Sequence, residues 1–380
     1  MRIALSALSV KPERTGGGET VLVHLMRALP RVDPEVEYLL FVTTENRALF
    51  VGLADSIELY MVPSWVEGVG LRVLYEMVWM PQVVQRWGAD LFFAVNQVAS
   101  PLFSCPVSSL VQNLLYYHYS ELYPGRWRPG ALVRRIFFRY LGRWSVRRAR
   151  QVVAVSETAR QVVTRCDGVE AIEVVPLAPG GAIEPIVASQ VEQVRDRVGA
   201  PFYIYVGALE PYKNIDRAII ALAQVRRRPE TSRVKLVLIG MGGSEEALRA
   251  FAKREEVEDG IEWVGPVPNR EVGAWYQAAV GAVLLSTCEA FPLVPLEAMA
   301  QGTPVIASNR SAVPEVVGEG GVVVDPDDVQ GVADVMYQMV IDEAFRQELV
   351  ERAGARAQVF SWERTAAELV RVWRAAIVEG

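Results

Sequence analysis

Two glutamates, Glu289 and Glu297, stand eight positions apart in the string STCEAFPLVPLE, directly after the apolar run Gly281–Leu285. The run reads as a strand and LEAMAQG as a helix, so one carboxylate falls at a strand end and the other in a helix's opening turns. A carboxylate so placed can accept a pair of sugar hydroxyls, as the acidic residue of dinucleotide folds does for ribose. The N–H groups at the helix start suit a diphosphate. Taken alone, the same residues would serve equally as a helix cap and a surface carboxylate. Other strand-end positions could also meet a ligand. Gly207, Gly240 and Val264 close the runs Phe202–Val206, Val234–Ile239 and Ile261–Val264, with residues 240–243 and 264–267 lying just beyond their strands. Gly16, Gly17 and Gly18 follow the first apolar run and precede a helical pattern, where a glycine loop lets a phosphate or sugar approach the backbone; the plain alternative is a flexible turn.

These residues need a scaffold of strands that end on one side. The first half of the chain alternates short apolar runs with helical patterns: Arg2–Leu8, Glu37–Val42, Ile57–Val62, Leu91–Ala94, Val107–Gln112, Val152–Ser156 and Ile172–Val175. The runs are apolar throughout rather than in period two, which predicts parallel strands covered on both faces. Between them, spaced apolar residues such as Val21, Leu25, Ala28 and Leu29 predict helices. The second half repeats the alternation through Phe202–Val206, Val234–Ile239, Ile261–Val264, Gly281–Leu285, Pro304–Ala307 and Gly321–Val324. The expectation is an α/β protein with two Rossmann-like domains, residues 1–178 and 201–360. The Pro- and Gly-rich residues 179–200 read as a linker, and residues 361–380 as a terminal helix started by Ser361. In such sheets ligands sit beyond the carboxyl ends of the strands.

Composition narrows the classes. With 380 residues, 51% hydrophobic and 22% charged, the chain suits two ordered globular domains. No apolar stretch approaches the roughly 20 residues that span a bilayer, and the opening MRIALSALS reads as a strand rather than a leader, so a cytoplasmic protein is expected. Cys105, Cys166 and Cys288 lack metal-ligand spacing, and His24 and His118 lie far apart, which argues against a disulfide scaffold or a structural zinc site. A net charge of −6 argues against nucleic acid as the partner of the whole molecule.

The run STCEAFPLVPLEAMAQGTPVIASNRSAVPEVVGEGGVVVDPDD is similar to the E-x7-E region of the family 4 retaining glycosyltransferases. YVGALEPYKNIDRAIIAL, VVAVSETAR, VVPLAPG and FSWERTAAEL match the same family in the same order. The resemblance implies a GT-B fold, with two domains facing each other across a cleft and the terminal helix returning to the N-terminal domain. It implies that Glu289 contacts the donor sugar, Glu297 binds the nucleotide ribose and Lys213 pairs with the diphosphate. Phe291, Leu293, Val294, Gly207, Gly240 and Val264 complete the donor side, and no metal or other cofactor is required beyond a nucleotide-sugar donor of GDP-mannose or UDP-glucose type. A fixed ammonium and helix-start amides would stabilise charge building on the departing diphosphate. The glycine loop would reach donor and acceptor. The implied reaction moves a hexose, with mannose weakly preferred because of the EPxKN form, to a hydroxyl of a glycan or lipid-linked acceptor.

The chain departs from the family pattern in places. Ala290, Phe291 and Pro292 stand where Gly-Phe-Gly is usual, and Pro292 has no N–H to offer. The positions where an arginine commonly partners the lysine are Ala208 and Tyr212. The family's frequent His-Asp pair is replaced by Gln112 and Asn113 on the acceptor side, so no histidine base is expected there. Two other classes stay open at this point: a nucleotide-sugar epimerase of the same architecture, and a non-catalytic binding protein. Finally, Arg126–Arg150 holds nine arginines and no acidic residue. Arg135, Arg139, Arg143 and Arg147 recur every four positions opposite Val133, Phe137, Tyr140 and Trp144. That pattern fits a basic amphipathic helix against an anionic membrane, or a domain helix with solvated arginines.

Overall fold

The computed structural model describes residues 1–12, 17–122, 137–180 and 186–378. The chain divides into two compact units, Met1–Leu177 with Ser361–Gly380 and Ala178–Phe360. The first unit holds a seven-stranded sheet made of β1 (Arg2–Ser6), β2 (Glu37–Val42), β3 (Ile57–Met61), β4 (Leu91–Ala94), β5 (Val107–Val111), β6 (Gln151–Ala154) and β7 (Ile172–Val174). Their spatial order is β3-β2-β1-β4-β5-β6-β7, and neighbours pair in parallel. The second unit holds six parallel strands: β8 (Phe202–Val206), β9 (Lys235–Ile239), β10 (Ile261–Gly265), β11 (Gly281–Leu284), β12 (Val305–Ser308) and β13 (Gly321–Val324). Their order is β10-β9-β8-β11-β12-β13. Both sheets are doubly wound, and the strand order reverses between β1 and β4 in one and between β8 and β11 in the other. Those reversal points are where such sheets open a crevice for a ligand.

The central strands are buried on both faces, in keeping with their unbroken apolar runs: Ile3, Leu5, Phe93, Ile204, Leu236 and Ile306 are each essentially inaccessible, while the edge strands β3, β7, β10 and β13 are only partly covered. Residues 179–200, read from sequence as a linker, instead supply the helix Ala188–Val198 to the second unit. Val191, Val194 and Val198 recur at helical spacing and pack into its core, a period that the flanking Pro and Gly obscured. The glycine-rich stretch also differs from its reading as a loop. Gly17 and Gly18 are the first two residues of the helix Gly17–Val32, and Gly16 lies outside the described residues.

The terminal helix Trp362–Val378 packs within the first unit. Trp373 meets Phe93 edge-on at 4.9 Å, Trp362 stacks on His24 at 5.6 Å, and Thr365 Oγ1 donates to the Pro176 carbonyl at 2.7 Å. Burial against Trp362, with Arg27 nearby, pushes the His24 pKa down to about 4. A base whose folded pKa is depressed stabilises the fold above its ordinary value near 6.5 and loses that contribution as pH falls toward 4. Acidification over this window is therefore expected to loosen the terminal helix by up to about 3 kcal/mol. His24→Phe should flatten the pH dependence of unfolding followed by urea titration, and an unchanged slope in that variant would refute the assignment.

Candidate active site

The sequence-predicted residues of the second unit gather at its sheet's reversal point. β8 ends at Val206, the chain turns through Gly207 at φ 139°, and a short 3-10 turn, Pro211–Lys213, leads into the helix Ile215–Arg226. Asn214 joins them in the left-handed conformation, φ 52° and ψ 41°. Its Nδ2 donates to the Leu285 carbonyl at the end of β11, 2.7 Å away, and its Oδ1 accepts from Arg217 at 2.8 Å. The two bonds define which way the carboxamide points. A second strap runs from the Thr287 N–H to the Tyr212 carbonyl at 2.9 Å. Together they fasten the lysine turn after β8 to the loop after β11.

That fastening brings Lys213 to Glu289. The ammonium lies 2.5 Å from Oε1, with the two side chains only 13% and 16% exposed. Burial alone would lower the Lys213 pKa, but the facing carboxylate, aided by Tyr205, outweighs it and holds the ammonium above its ordinary value. Lys213 Nζ also lies 5.0 Å from the centre of the Tyr212 ring. The Glu289 backbone is clamped by Ser311, whose hydroxyl accepts from the Glu289 N–H at 3.2 Å and donates to its carbonyl at 2.7 Å. Ser311 takes φ 54° to do so. Arg217 and Arg310 flank the pair, but both are engaged, Arg217 with Asp327 and Arg310 with Asp325 and Asp327.

The helix Leu293–Ala300 follows Glu289. Of the backbone donors that a helix start leaves free, Pro292 and Pro295 contribute none, so Leu293 and Val294 carry the whole N-terminal anion capacity. Phe291 meets Phe360 edge-on at 5.8 Å, a packing role for its ring that leaves only its amide for a ligand. Glu297 sits in the second turn, half-buried. Burial raises its pKa to about 7, opposed by a hydrogen bond from the Gly180 N–H. An acid raised in the folded state stabilises the fold below its ordinary value and loses that contribution as pH climbs through about 7. Ionisation of Glu297 near neutral pH therefore lowers the stability of the second unit relative to acid pH.

Gly207, Gly240 and Val264 lie side by side at the ends of β8, β9 and β10. Gly207 N–H donates to the Ile239 carbonyl and Gly240 N–H to the Gly265 carbonyl, each at 2.9 Å. In the first unit, Gln112 follows β5 and donates to the Val95 carbonyl at 2.9 Å and to Asn96 Oδ1 at 3.2 Å, while Asn113 Oδ1 accepts from Leu115 N–H. Asn96 in turn donates to Ser9 Oγ at 2.5 Å, closing an uncharged polar row across the β1–β4 reversal point. Ser9 and Asn96 belong to no motif, and their signal was a position just past a strand run; Asn214 and Ser311 lie inside the matched runs, but the sequence assigned neither a role. The Arg126–Arg150 reading is corrected in part. Residues 123–136 lie outside the described residues, and Arg143 and Arg147 are not both solvated, since each pairs with the fully buried Asp167 carboxylate. Ser156 caps the helix Glu157–Asp167 through the Ala159 N–H.

Two parallel Rossmann-like sheets, with a lysine–glutamate pair and a second glutamate at the reversal point of one of them, define a protein of the GT-B class. Residues 188–356 match the family described as glycosyl transferases group 1, and residues 15–178 match glycosyltransferase family 4. The chain belongs to the family 4 glycosyltransferases of group 1. Among curated relatives, O-antigen chain mannosyltransferase B of Escherichia coli is 34% identical over 174 residues, covering 46% of this chain and 45% of that protein. The chain spans about half the length of the curated relatives it matches first. Among solved structures, sucrose-phosphate synthase of Thermosynechococcus elongatus superimposes with a TM-score of 0.78 at 19% identity, over 100% of both chains. The HepE protein of Anabaena, in complex with UDP and glucose, does so at 0.73 and 20%, over 99% of this chain and 100% of that one. Identities this low speak to fold alone.

Proposed function

We propose that the chain is a retaining glycosyltransferase that moves a hexose from a nucleoside diphosphate to a hydroxyl of a glycan or lipid-linked acceptor. The Lys213–Glu289 pair at the β8–β11 reversal point carries this reading. In it, the bond from the anomeric carbon to the diphosphate oxygen breaks while a bond to the acceptor oxygen forms on the same face, and the acceptor proton passes to the leaving phosphate. Lys213 and the amides of Leu293 and Val294 take up the charge released on the diphosphate, with no metal needed for that task. Glu289 contacts the donor sugar and Glu297 accepts from the ribose hydroxyls. Gln112 and Asn113, with Asn96, offer neutral hydrogen bonds to an acceptor and no titrating base. The name of the Escherichia coli relative supports mannose as the sugar, and UDP-glucose is the competing donor.

Labelled GDP-mannose and UDP-glucose, incubated with the protein, separate the classes. Sugar passed to an acceptor or to water is expected. An isomerised donor would indicate an epimerase, and binding without turnover a carrier, and either result would sink the proposal. Because Glu297 titrates near 7, donor affinity should rise with pH across that value as the carboxylate ionises. Glu297→Gln should remove the pH dependence and weaken donor binding by about 1.5–3 kcal/mol, the worth of a charge-assisted hydrogen bond.

A further inference from the structure

We infer that the first unit carries a bilayer-binding face, centred on the outer side of the helix Val69–Val78 and the two tryptophans that flank it in sequence, Trp65 and Trp79. The helix has its polarity inverted. Its two charged side chains turn inward, Arg72 donating to the Leu8 carbonyl at 3.3 Å and Glu76 accepting from Ser6 Oγ at 3.2 Å. Its outward side presents Leu71 and Leu74, 48% and 45% exposed. Trp65 and Trp79, 44% and 42% exposed, close the patch, and their rings lie 5.6 Å apart, each also touching Tyr75. The loop beside the helix adds Leu102, 60% exposed, and is tied to it by Ser100 Oγ donating to the Met77 carbonyl at 2.6 Å. Five large apolar side chains exposed together on neighbouring elements mark a binding surface rather than a scatter of surface residues.

The occupant follows from what borders the patch. The same loop is held on its other side by the helix Arg143–Arg148, through Ala99 N–H to Ser145 Oγ at 2.9 Å. That helix has Tyr140 exposed before it and Arg148 exposed at its end, the Arg148 guanidinium 5.2 Å from the centre of the Trp144 ring, while Arg147 is engaged by Asp167. An apolar, tryptophan-closed surface with an arginine flank is complementary to an anionic phospholipid interface. There the leucines enter the acyl boundary, the indoles settle at headgroup depth and the Arg148 guanidinium meets phosphate. The inward anchors of the helix, Ser6 and Leu8, lie at the carboxyl end of β1, so a bilayer held here lies beside the ligand-bearing edge of the first sheet. None of this depends on the donor chemistry of the second unit.

The test is co-sedimentation of the full chain with vesicles of phosphatidylcholine and phosphatidylglycerol, against vesicles of phosphatidylcholine alone. Binding is expected to the anionic vesicles, weaker to the neutral ones, and to decline as salt is added. Leu71→Glu with Leu74→Glu should lower vesicle affinity at least about tenfold, since two leucines then no longer leave water. Both positions are exposed and outside the donor site, so the double variant should keep wild-type melting and nucleotide-sugar binding, which separates failure of this inference from failure of the proposed function. Absence of vesicle binding by the wild type, or equal binding by the double variant, overturns the inference. So does a lipid-free dimer in sedimentation equilibrium that the double variant dissolves, because a second copy would then cover the face.

Discussion

Alanine at Lys213 is expected to cut sugar transfer by about a hundredfold or more, the scale set by removing one fixed charge from a developing anion. The effect should fall on kcat as well as on donor affinity, because the diphosphate is most negative once the anomeric bond has broken. Among the described residues, Ala208 and Tyr212 occupy the places where an arginine would help, and Arg217 and Arg310 are engaged by Asp325 and Asp327. The variant also strands Glu289, which is 16% exposed and loses the ammonium 2.5 Å away. A nearly buried carboxylate without its partner costs about 3–5 kcal/mol, so some lost activity could reflect lost fold. Removing both charges in Lys213→Ala with Glu289→Ala should restore much of the stability and none of the transfer, and melting curves beside initial rates read the two effects apart. Lys213→Arg should retain part of the rate. A folded Lys213→Ala enzyme with wild-type kcat would remove the lysine from the mechanism.

The pair also shows what a sequence can and cannot disclose. Both doubly wound sheets were legible, because parallel strands buried on two faces leave unbroken apolar runs such as LFFA at 91–94 and KLVLI at 235–239, and because those runs alternate with helical periods. Lys213 and Glu289 were legible as separate residues at strand ends. Their contact was not, since it depends on Asn214 adopting a left-handed turn and finding a carbonyl 71 positions away. Ser311 is hidden for the same reason: its hydroxyl gains its role only when β12 lies beside β11. Arg143 misled, because a periodic arginine looks solvated until a buried aspartate comes from a distant helix to meet it. Apolar periodicity is local and survives in the string, whereas polar side chains choose partners across the fold. The helix Ala188–Val198 was missed by a different route, its three valines masked by the proline and glycine before it.

Gly240→Ala is expected to be the most damaging small substitution in the second unit. Gly240 ends β9 at φ 133°, a conformation that an L side chain rarely adopts. A methyl group there would sit 2.0 Å from the Gly207 carbonyl oxygen and 2.9 Å from its carbon, so backbone rather than a flexible side chain must give way. That carbonyl belongs to the turn that carries the chain from β8 to Lys213, and Gly207 N–H is itself bonded to Ile239. Strain and displacement together should destabilise the unit by about 3 kcal/mol or more and move the lysine turn off Glu289. Gly207→Ala makes the useful contrast. Its φ of 139° is as unfavourable, but the added methyl would meet only the Tyr205 hydroxyl at 3.3 Å, so a loss nearer the backbone term of about 1–3 kcal/mol is expected. Gly243→Ala meets nothing within 4 Å and should be close to neutral. Urea denaturation of the three variants, with donor titration of whatever remains folded, orders them. If Gly240→Ala melts like Gly243→Ala, the close approach of the β8 and β9 turns is not what holds the lysine in place, and the straps from Asn214 and Thr287 must do so alone.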